Sequence, residues 1–199
     1  LTNDPACDLR PVRDMSVSAG GAVLLRTAAK VPTSAPSKNS AALDADYIET
    51  LISHSQACQM DRVPNLGSLG SPLLEPVQTS GYGWRRHPIW GDLSIHRGVD
   101  FIGPNRTSGG AALAVRSGVV LAIVDLTAYG TTVIVDHGEQ VATVYGHLAK
   151  VLVEVGQEVE EGDGLGLVGS TGLSTGAHLH FELWVDGETV NPLPYLALP

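Results

Sequence analysis

The residues of this chain best suited to chemistry lie in one short stretch, His178-Leu179-His180-Phe181-Glu182-Leu183. Polar and apolar residues alternate with a period of two, which is the pattern of a β-strand with one buried face. We expect the apolar side chains to face a core and His178, His180 and Glu182 to share the opposite face. Two neighbouring imidazoles on a strand suit a metal ligand beside a proton-transfer group, whereas the alternative is a pair of solvent-facing histidines. Glu182 either supports a ligand histidine from behind or lies exposed, and we expect it to be exposed.

A second polar pair lies upstream, in His96-Arg97-Gly98-Val99-Asp100-Phe101. If this stretch is extended, His96 and Asp100 share one face with Gly98, which leaves room between them for an ion. Two neutral imidazoles and one carboxylate would leave Zn²⁺ with a fourth position for water, the geometry of a catalytic zinc site. The second histidine of the pair and His147 are then available to transfer protons or to stabilise an oxyanion. The chain has no H-E-x-x-H helix, so a thermolysin-like arrangement is excluded.

Length and composition limit what can position these residues. The 199 residues suit one domain plus an appendage, and 23 glycines and 12 prolines favour short strands with many turns. The net charge of −9 argues against nucleic acid or an anionic membrane surface as the main partner. No apolar run approaches the roughly 18 residues of a membrane span. No signal peptide is visible, but the chain begins at Leu1, so this absence says nothing about targeting.

The first 70 residues differ in character from the rest. Residues 31–40 are typical of a linker, and a helix is predicted over about 41–59, with Asn39 or Ser40 as its N-cap. Its apolar residues at helical spacing are Leu43, Tyr47, Ile48, Leu51 and Ile52. Cys7 and Cys58 are the only cysteines, and we expect them to form a disulfide; two unlinked thiols are the alternative.

From residue 71 to residue 199 the pattern is all-β, with strands too short and too evenly spaced for βαβ units. Strands are predicted over 115–124, 131–135 and 141–147, and a strand, a turn and a strand over 153–163. Residues 80–88 are predicted to form a turn-rich entry. Tyr145 shares a predicted strand face with His147, and whether it lines a groove stays open. His137 lies at a turn after a strand, where we expect a structural role.

Residues 72–195 resemble the lysostaphin-type, or M23, family of zinc metallopeptidases. The matching pieces are Gly83-Trp84-Arg85-Arg86-His87-Pro88, His96-Arg97-Gly98-Val99-Asp100, Tyr145-Gly146-His147-Leu148, Val155-Gly156-Gln157-Glu158-Val159, Gly169-Ser170-Thr171-Gly172, Ser174-Thr175-Gly176-Ala177-His178-Leu179-His180 and Val190-Asn191-Pro192. Each piece is weak alone, but all of them in this order are specific.

The resemblance implies an antiparallel β fold with a groove-shaped active site. It assigns His96, Asp100 and His180 to one Zn²⁺ per chain, and His147 and His178 to catalysis. It implies an endopeptidase that hydrolyses peptide bonds in the crosslinks or stems of bacterial peptidoglycan, in the periplasm, at the cell envelope or after secretion. It does not give the crosslink chemistry, the organism or the oligomeric state.

Two other classes of protein are alternatives. The stretch 155–163 also resembles the hairpin of biotinyl or lipoyl carriers, but the modifiable lysine is missing, since Lys150 precedes it. A non-catalytic M23-like module that activates another cell-wall hydrolase is the main alternative, although such modules characteristically lose site residues that are all present here. For residues 1–70 we expect a structural brace; the alternative is a lid in which Asn65 occupies the fourth metal position.

Overall fold

The computed structural model describes residues 29–30, 40–56, 66–103 and 109–199. Three predictions fall outside these ranges and stay predictions: the linker, the disulfide between Cys7 and Cys58, and the Asn65 metal donor.

The described chain is mainly β, as the sequence predicts. One α-helix is present among the described residues, α1 (Ser40–Gln56). The strands are β1 (Ala29–Lys30), β2 (Val77–Ser80), β3 (Gly83–Arg86), β4 (Leu93–His96), β5 (Val99–Ile102), β6 (Ala111–Leu113), β7 (Gly118–Leu126), β8 (Gly130–Asp136), β9 (Val141–Gly146), β10 (Leu148–Val151), β11 (Glu158–Val159), β12 (Gly164–Val168), β13 (Leu179–Val185) and β14 (Glu188–Val190).

A largely antiparallel sheet forms the centre of the fold, with the strand order β1-β7-β8-β9-β13-β5-β2. Strands β11 and β14 add to it beside β7 and β13, and only the short β1 runs parallel to its neighbour. Strand β13 therefore lies between β9 and β5, with His180 opposite Gly146 on one side and Asp100 on the other. This register brings two of the predicted metal ligands onto adjacent strands.

Both faces of the central sheet are covered. One face packs against the three-stranded sheet β10-β12-β6, and its core includes Phe101, Tyr145 and Phe181. The other face packs against α1, and its core joins Ile48 and Trp184. The prediction that Leu179, Phe181 and Leu183 face a core is confirmed. The opposite face of β13 is buried as well, because α1 covers it.

Helix α1 is confirmed, but its buried face contains polar residues as well as the predicted apolar ones. Ile48, Leu51 and Ile52 are buried as expected, whereas Leu43 is 65% exposed. At 100° per residue, Leu43 lies far from the centre of the face formed by these three residues. The polar residues Asp44 and Ser55 occupy that buried face instead, and Ser55 donates a hydrogen bond to Asp136.

Three local predictions are wrong. The stretch 96–101 is not one strand, because β4 ends at His96 and β5 begins at Val99. The entry at 80–88 contains strand β3, which pairs with β4 in a separate two-stranded sheet. Residues 153–155 form no strand, and only β11 in the predicted hairpin pairs with the central sheet.

The division of the chain at residue 70 remains a prediction. Leu69 is buried in the core of the β domain and pairs with Leu196. In the described part of the chain, no helix combines the length and apolarity that crossing a membrane requires.

Candidate functional site

Three potential metal ligands converge at the β5–β13 edge of the groove. His96 lies at the end of β4, Asp100 on β5 and His180 on β13, and all three side chains are buried. His96 Nε2 is 3.1 Å from Asp100 Oδ1 and 3.1 Å from His180 Nδ1, and the latter two atoms are 2.9 Å apart. Three donor atoms from three strands thus face one point.

Hydrogen bonds on the far side of each ring set which nitrogen is free to bind a metal. His96 Nδ1 donates to the carbonyl of Gly81 at 2.7 Å, which leaves the Nε2 lone pair directed at the cluster. His180 Nε2 donates to Glu182 Oε1 at 3.0 Å, which leaves its Nδ1 for the metal. In their neutral forms, the two candidate ligand histidines are therefore held in opposite tautomers.

This donor set fits zinc. Two imidazole nitrogens and one carboxylate oxygen are its usual catalytic ligands, at about 2.0–2.2 Å, and tetrahedral geometry separates such ligand atoms by roughly 3.3–3.5 Å. The observed separations of 2.9–3.1 Å need to open by only a few tenths of an ångström.

The expectation that Glu182 is exposed is wrong. Its side chain is fully buried and accepts three hydrogen bonds, from His180 Nε2 at 3.0 Å, the Tyr129 hydroxyl at 2.7 Å and Trp184 Nε1 at 2.7 Å. Tyr129 and Trp184 bond to it from this face of β13, and both belong to the apolar cluster that includes residues of α1. Burial would raise the pKa of Glu182, but these hydrogen bonds and the His180 charge hold it below its ordinary value. Glu182 is thus a carboxylate behind the imidazole of a candidate metal ligand.

Without a metal, the cluster holds a proton in place of the ion. Burial would lower the pKa of His180, but hydrogen bonds to Asp100 and Glu182 raise it to about 9. Burial would raise the pKa of Asp100, yet its bonds to His180 and His96 hold it well below its ordinary value. A metal ion that binds here therefore displaces a proton from His180.

The two predicted catalytic histidines form a second pair beside the cluster. The rings of His147 and His178 have centroids 4.6 Å apart, and His178 Nε2 is 3.7 Å from Asp100 Oδ1. His147 Nδ1 donates to the carbonyl of Thr171 at 2.7 Å, and His178 Nδ1 donates to the carbonyl of Gly176 at 2.8 Å. Both rings therefore keep Nε2 free. Burial, with repulsion from His180 and His178, lowers the pKa of His147 to about 3, so this ring is neutral at physiological pH.

All five residues line one groove of about 630 Å³. Arg85 lies on the groove-facing side of β3, with Nη2 3.7 Å from Asp100 Oδ2, so it pairs with a carboxylate of its own chain. Its Nε is buried with no hydrogen-bond partner among the described residues. His87 also lines the groove, and its Nδ1 accepts a hydrogen bond from Ile89 N at 3.2 Å, a contact within its own loop.

Three other residues singled out from the sequence lie outside the cluster of potential metal ligands. Gly98 does not leave room for an ion: a Cβ there would lie 2.3 Å from the Phe181 carbonyl oxygen, so β13 packs directly on it. Tyr145 does not line the groove but is buried in the opposite core, with its hydroxyl 3.1 Å from Thr143 Oγ1. His137 is buried away from the site, between the carbonyl of Ser117 and Thr143 Oγ1.

Two contributors to the site were not singled out from the sequence, Tyr129 and Thr171. Tyr129 precedes Gly130 in the turn between β7 and β8, and Thr171 lies in the loop before β13. Thr171 provides the carbonyl that holds His147, and its Oγ1 accepts a hydrogen bond from Thr131 N at 3.0 Å. The only sequence signal was the Gly169-Ser170-Thr171-Gly172 piece of the family pattern.

A β groove with a His-Asp-His cluster and a pair of free histidines defines a metallopeptidase-like site. Residues 94–192 match the model of Peptidase family M23. The catalytic domain of lysostaphin from Staphylococcus simulans is 30% identical, with a TM-score of 0.54 over 60% of this chain and 91% of that domain. The chain belongs to peptidase family M23.

Two Vibrio cholerae proteins are also similar. The peptidoglycan DD-endopeptidase ShyA is 42% identical over 113 residues, 55% of this chain and 25% of that protein. A structure described as a zinc-containing peptidase is 33% identical with a TM-score of 0.54, covering 65% of this chain and 39% of that one. The chain spans about a quarter of the length of curated relatives such as ShyA. The predicted cofactor, Zn²⁺, is confirmed at the level of the family.

Proposed function

We propose that this protein is a zinc-dependent endopeptidase that hydrolyses peptide bonds in bacterial peptidoglycan. The observation that carries the proposal is the juxtaposition of two sets of histidines in one groove. Three donors converge to within 3.1 Å of one another, and the paired rings of His147 and His178 lie beside them.

We assign His96, Asp100 and His180 as the ligands of one Zn²⁺ per chain. When bound, zinc supplies a Lewis acid that polarises a carbonyl and lowers the pKa of water to about 7. Arg85 neutralises the outer oxygen of Asp100, and Glu182 holds the His180 ring in its metal-binding tautomer.

We assign His147 and His178 to proton transfer and to stabilisation of the oxyanion. Each ring is oriented through Nδ1 by a backbone carbonyl, so Nε2 is the nitrogen left for a substrate. The low pKa of His147, about 3, keeps that nitrogen able to accept a proton or a hydrogen bond at neutral pH.

The substrate class and location follow from the relatives. ShyA is named as a peptidoglycan DD-endopeptidase, and a similar Neisseria meningitidis protein as a DD-carboxypeptidase/endopeptidase. We therefore propose crosslinked peptidoglycan as substrate and the cell envelope, the periplasm or the exterior as the place of action. We favour a D-Ala–diaminopimelate crosslink over a glycine bridge. Peptides of this kind are acidic, and Arg85 and Arg97 line the groove that would receive them.

The test is digestion of defined, crosslinked muropeptide dimers, read by mass spectrometry. We expect each dimer to split into two monomers with one new amino group. New reducing sugar ends in place of new amino groups would refute the peptidase class. A zinc-loaded protein that leaves every dimer intact would instead favour the non-catalytic module.

A further inference from the structure

The turn between β7 and β8, residues 127–129, contacts the site at several points. The carbonyl of Tyr129 accepts a hydrogen bond from His147 N at 2.8 Å. The Tyr129 hydroxyl donates to Glu182 at 2.7 Å, and its ring meets the His180 ring edge-on at 5.1 Å. This turn therefore touches a proposed catalytic histidine, a proposed metal ligand and the carboxylate behind that ligand.

The contact with His147 holds a conformation that the backbone disfavours. His147 has φ +60°, in the left-handed region that a non-glycine residue rarely adopts and that persists only when its surroundings impose it. The surroundings here are the Tyr129 carbonyl on its backbone N–H and the Thr171 carbonyl on its ring. If the turn shifts, the His147 ring shifts with it.

Helix α1 holds the turn in place from the other side. Asp44 is 5% exposed, and its Oδ2 accepts hydrogen bonds from Ala128 N at 2.5 Å and Tyr129 N at 3.3 Å. A buried carboxylate is costly unless it is hydrogen-bonded, and these two backbone donors supply its bonds. Ala128 and Tyr129 also pack in the same apolar cluster as Ile48 of α1.

We propose that Asp44 and Tyr129 are positioning residues for the reaction, and that α1 acts through them on both the metal ligand His180 and His147. The family match begins at residue 94, so Asp44 lies outside it. The helix is then a working part of the active site and not a separate appendage. The effect of these residues on muropeptide turnover rests on the proposed function, but their effects on zinc affinity and on the histidine resonances do not.

The test compares Asp44→Ala, Asp44→Asn and Tyr129→Phe with the unsubstituted protein, all as full chains. Asp46→Ala is the matched control, because Asp46 is an exposed carboxylate two residues further along the same helix. Three quantities are measured below the melting temperature of each variant. They are the zinc dissociation constant, the kcat and KM on a crosslinked muropeptide, and the imidazole ¹⁵N resonances of His147 and His180 in metal-free protein.

We expect Asp44→Ala and Tyr129→Phe each to weaken zinc binding by about tenfold, as loss of support behind a ligand does, and to lower kcat more than they raise KM. Asp44→Ala shifts both imidazole resonances. Asp44→Asn keeps an acceptor oxygen and restores zinc affinity, and Asp46→Ala matches the unsubstituted protein.

A merely structural role predicts a lower melting temperature with unchanged zinc affinity and unchanged resonances in the folded variants, and that result overturns the proposal. If Asp44→Ala does not fold, Tyr129→Phe decides, because unchanged zinc affinity in that variant removes the link between turn and site. If the unsubstituted protein cleaves no muropeptide, the proposed function fails, while zinc affinities and resonances still test this inference.

Discussion

Replacing Glu182 by Gln tests the organisation of the metal centre at the group that supports it. The carboxylate accepts three hydrogen bonds through two oxygens, two on Oε1 and one on Oε2. The amide of Gln has nearly the same shape but only one acceptor oxygen. Whichever way it turns, its NH₂ group faces at least one buried N–H or O–H donor.

The size of the effect follows from these bonds. An orphaned buried donor costs about 1–3 kcal/mol, and loss of the charge-assisted bond to His180 costs about 1.5–3 kcal/mol. Removing a buried charge offsets part of this in the metal-free protein. With Zn²⁺ bound, the lost negative charge has no such compensation, so we expect zinc affinity to fall about 10- to 100-fold.

The assay is competition for zinc against a chelator of known affinity, with thermal unfolding of the metal-free protein as a check on folding. Glu188→Gln is the matched control, because Glu188 is exposed on β14, which pairs with the same strand β13. A folded Glu182→Gln protein that binds zinc as tightly as this control would refute the supporting role.

Three further predictions follow from the described contacts. His147→Ala and His178→Ala retain zinc but lose activity on the order of 10²-fold or more, as measured by muropeptide turnover; near-parental turnover would remove that residue from the mechanism. Ala42→Trp, at an exposed position of α1 that lines the groove, raises KM for crosslinked dimers without changing zinc affinity, and an unchanged KM would place the substrate elsewhere. Burial lowers the pKa of His137 to about 4. As pH falls, His137 therefore binds a proton in the unfolded chain before it does so in the folded chain. The free energy of unfolding, at its full value above pH ~6.5, decreases by about 3 kcal/mol by pH ~4. For His137→Gln, the free energy of unfolding measured with urea falls less steeply with decreasing pH over this range. A slope equal to that of the unsubstituted protein would contradict the assignment.

Part of the arrangement around β13 could be predicted from the sequence because it depends on local strand geometry. The period of two predicts His178, His180 and Glu182 on one face of a strand. Strand β13 carries His180 and Glu182 on one face, whereas His178 lies just before the first residue of the strand and makes an isolated bridge with Gly169. The pairing of His180 with Asp100 across β13 and β5 could not be predicted from any single motif. The resemblance to the family implied only that both residues bind the same zinc ion.

What the sequence missed depends on how distant segments pack. Glu182 was expected to be exposed because alternation suggests one solvent-facing side. It is buried because Tyr129, from a turn about fifty residues upstream, and Trp184 contact it, and both pack in the cluster that includes residues of α1. Tyr145 lies on the face opposite to the groove, since β9 ends at Gly146 and the left-handed turn at His147 redirects the chain. Asp44 could not be singled out from the sequence, because its hydrogen-bond partners lie in the turn at residues 127–129.

We propose that one zinc ion in this groove drives hydrolysis of a peptide bond. This is tested by turnover of a crosslinked muropeptide dimer as zinc is added back to chelator-treated protein, with metal content determined on the same samples. We expect activity to be absent without metal, to rise linearly and to reach its plateau at one zinc per chain, and we expect no such rise for His180→Ala at these zinc concentrations. Cleavage of the dimer that persists unchanged in the zinc-free protein would contradict it.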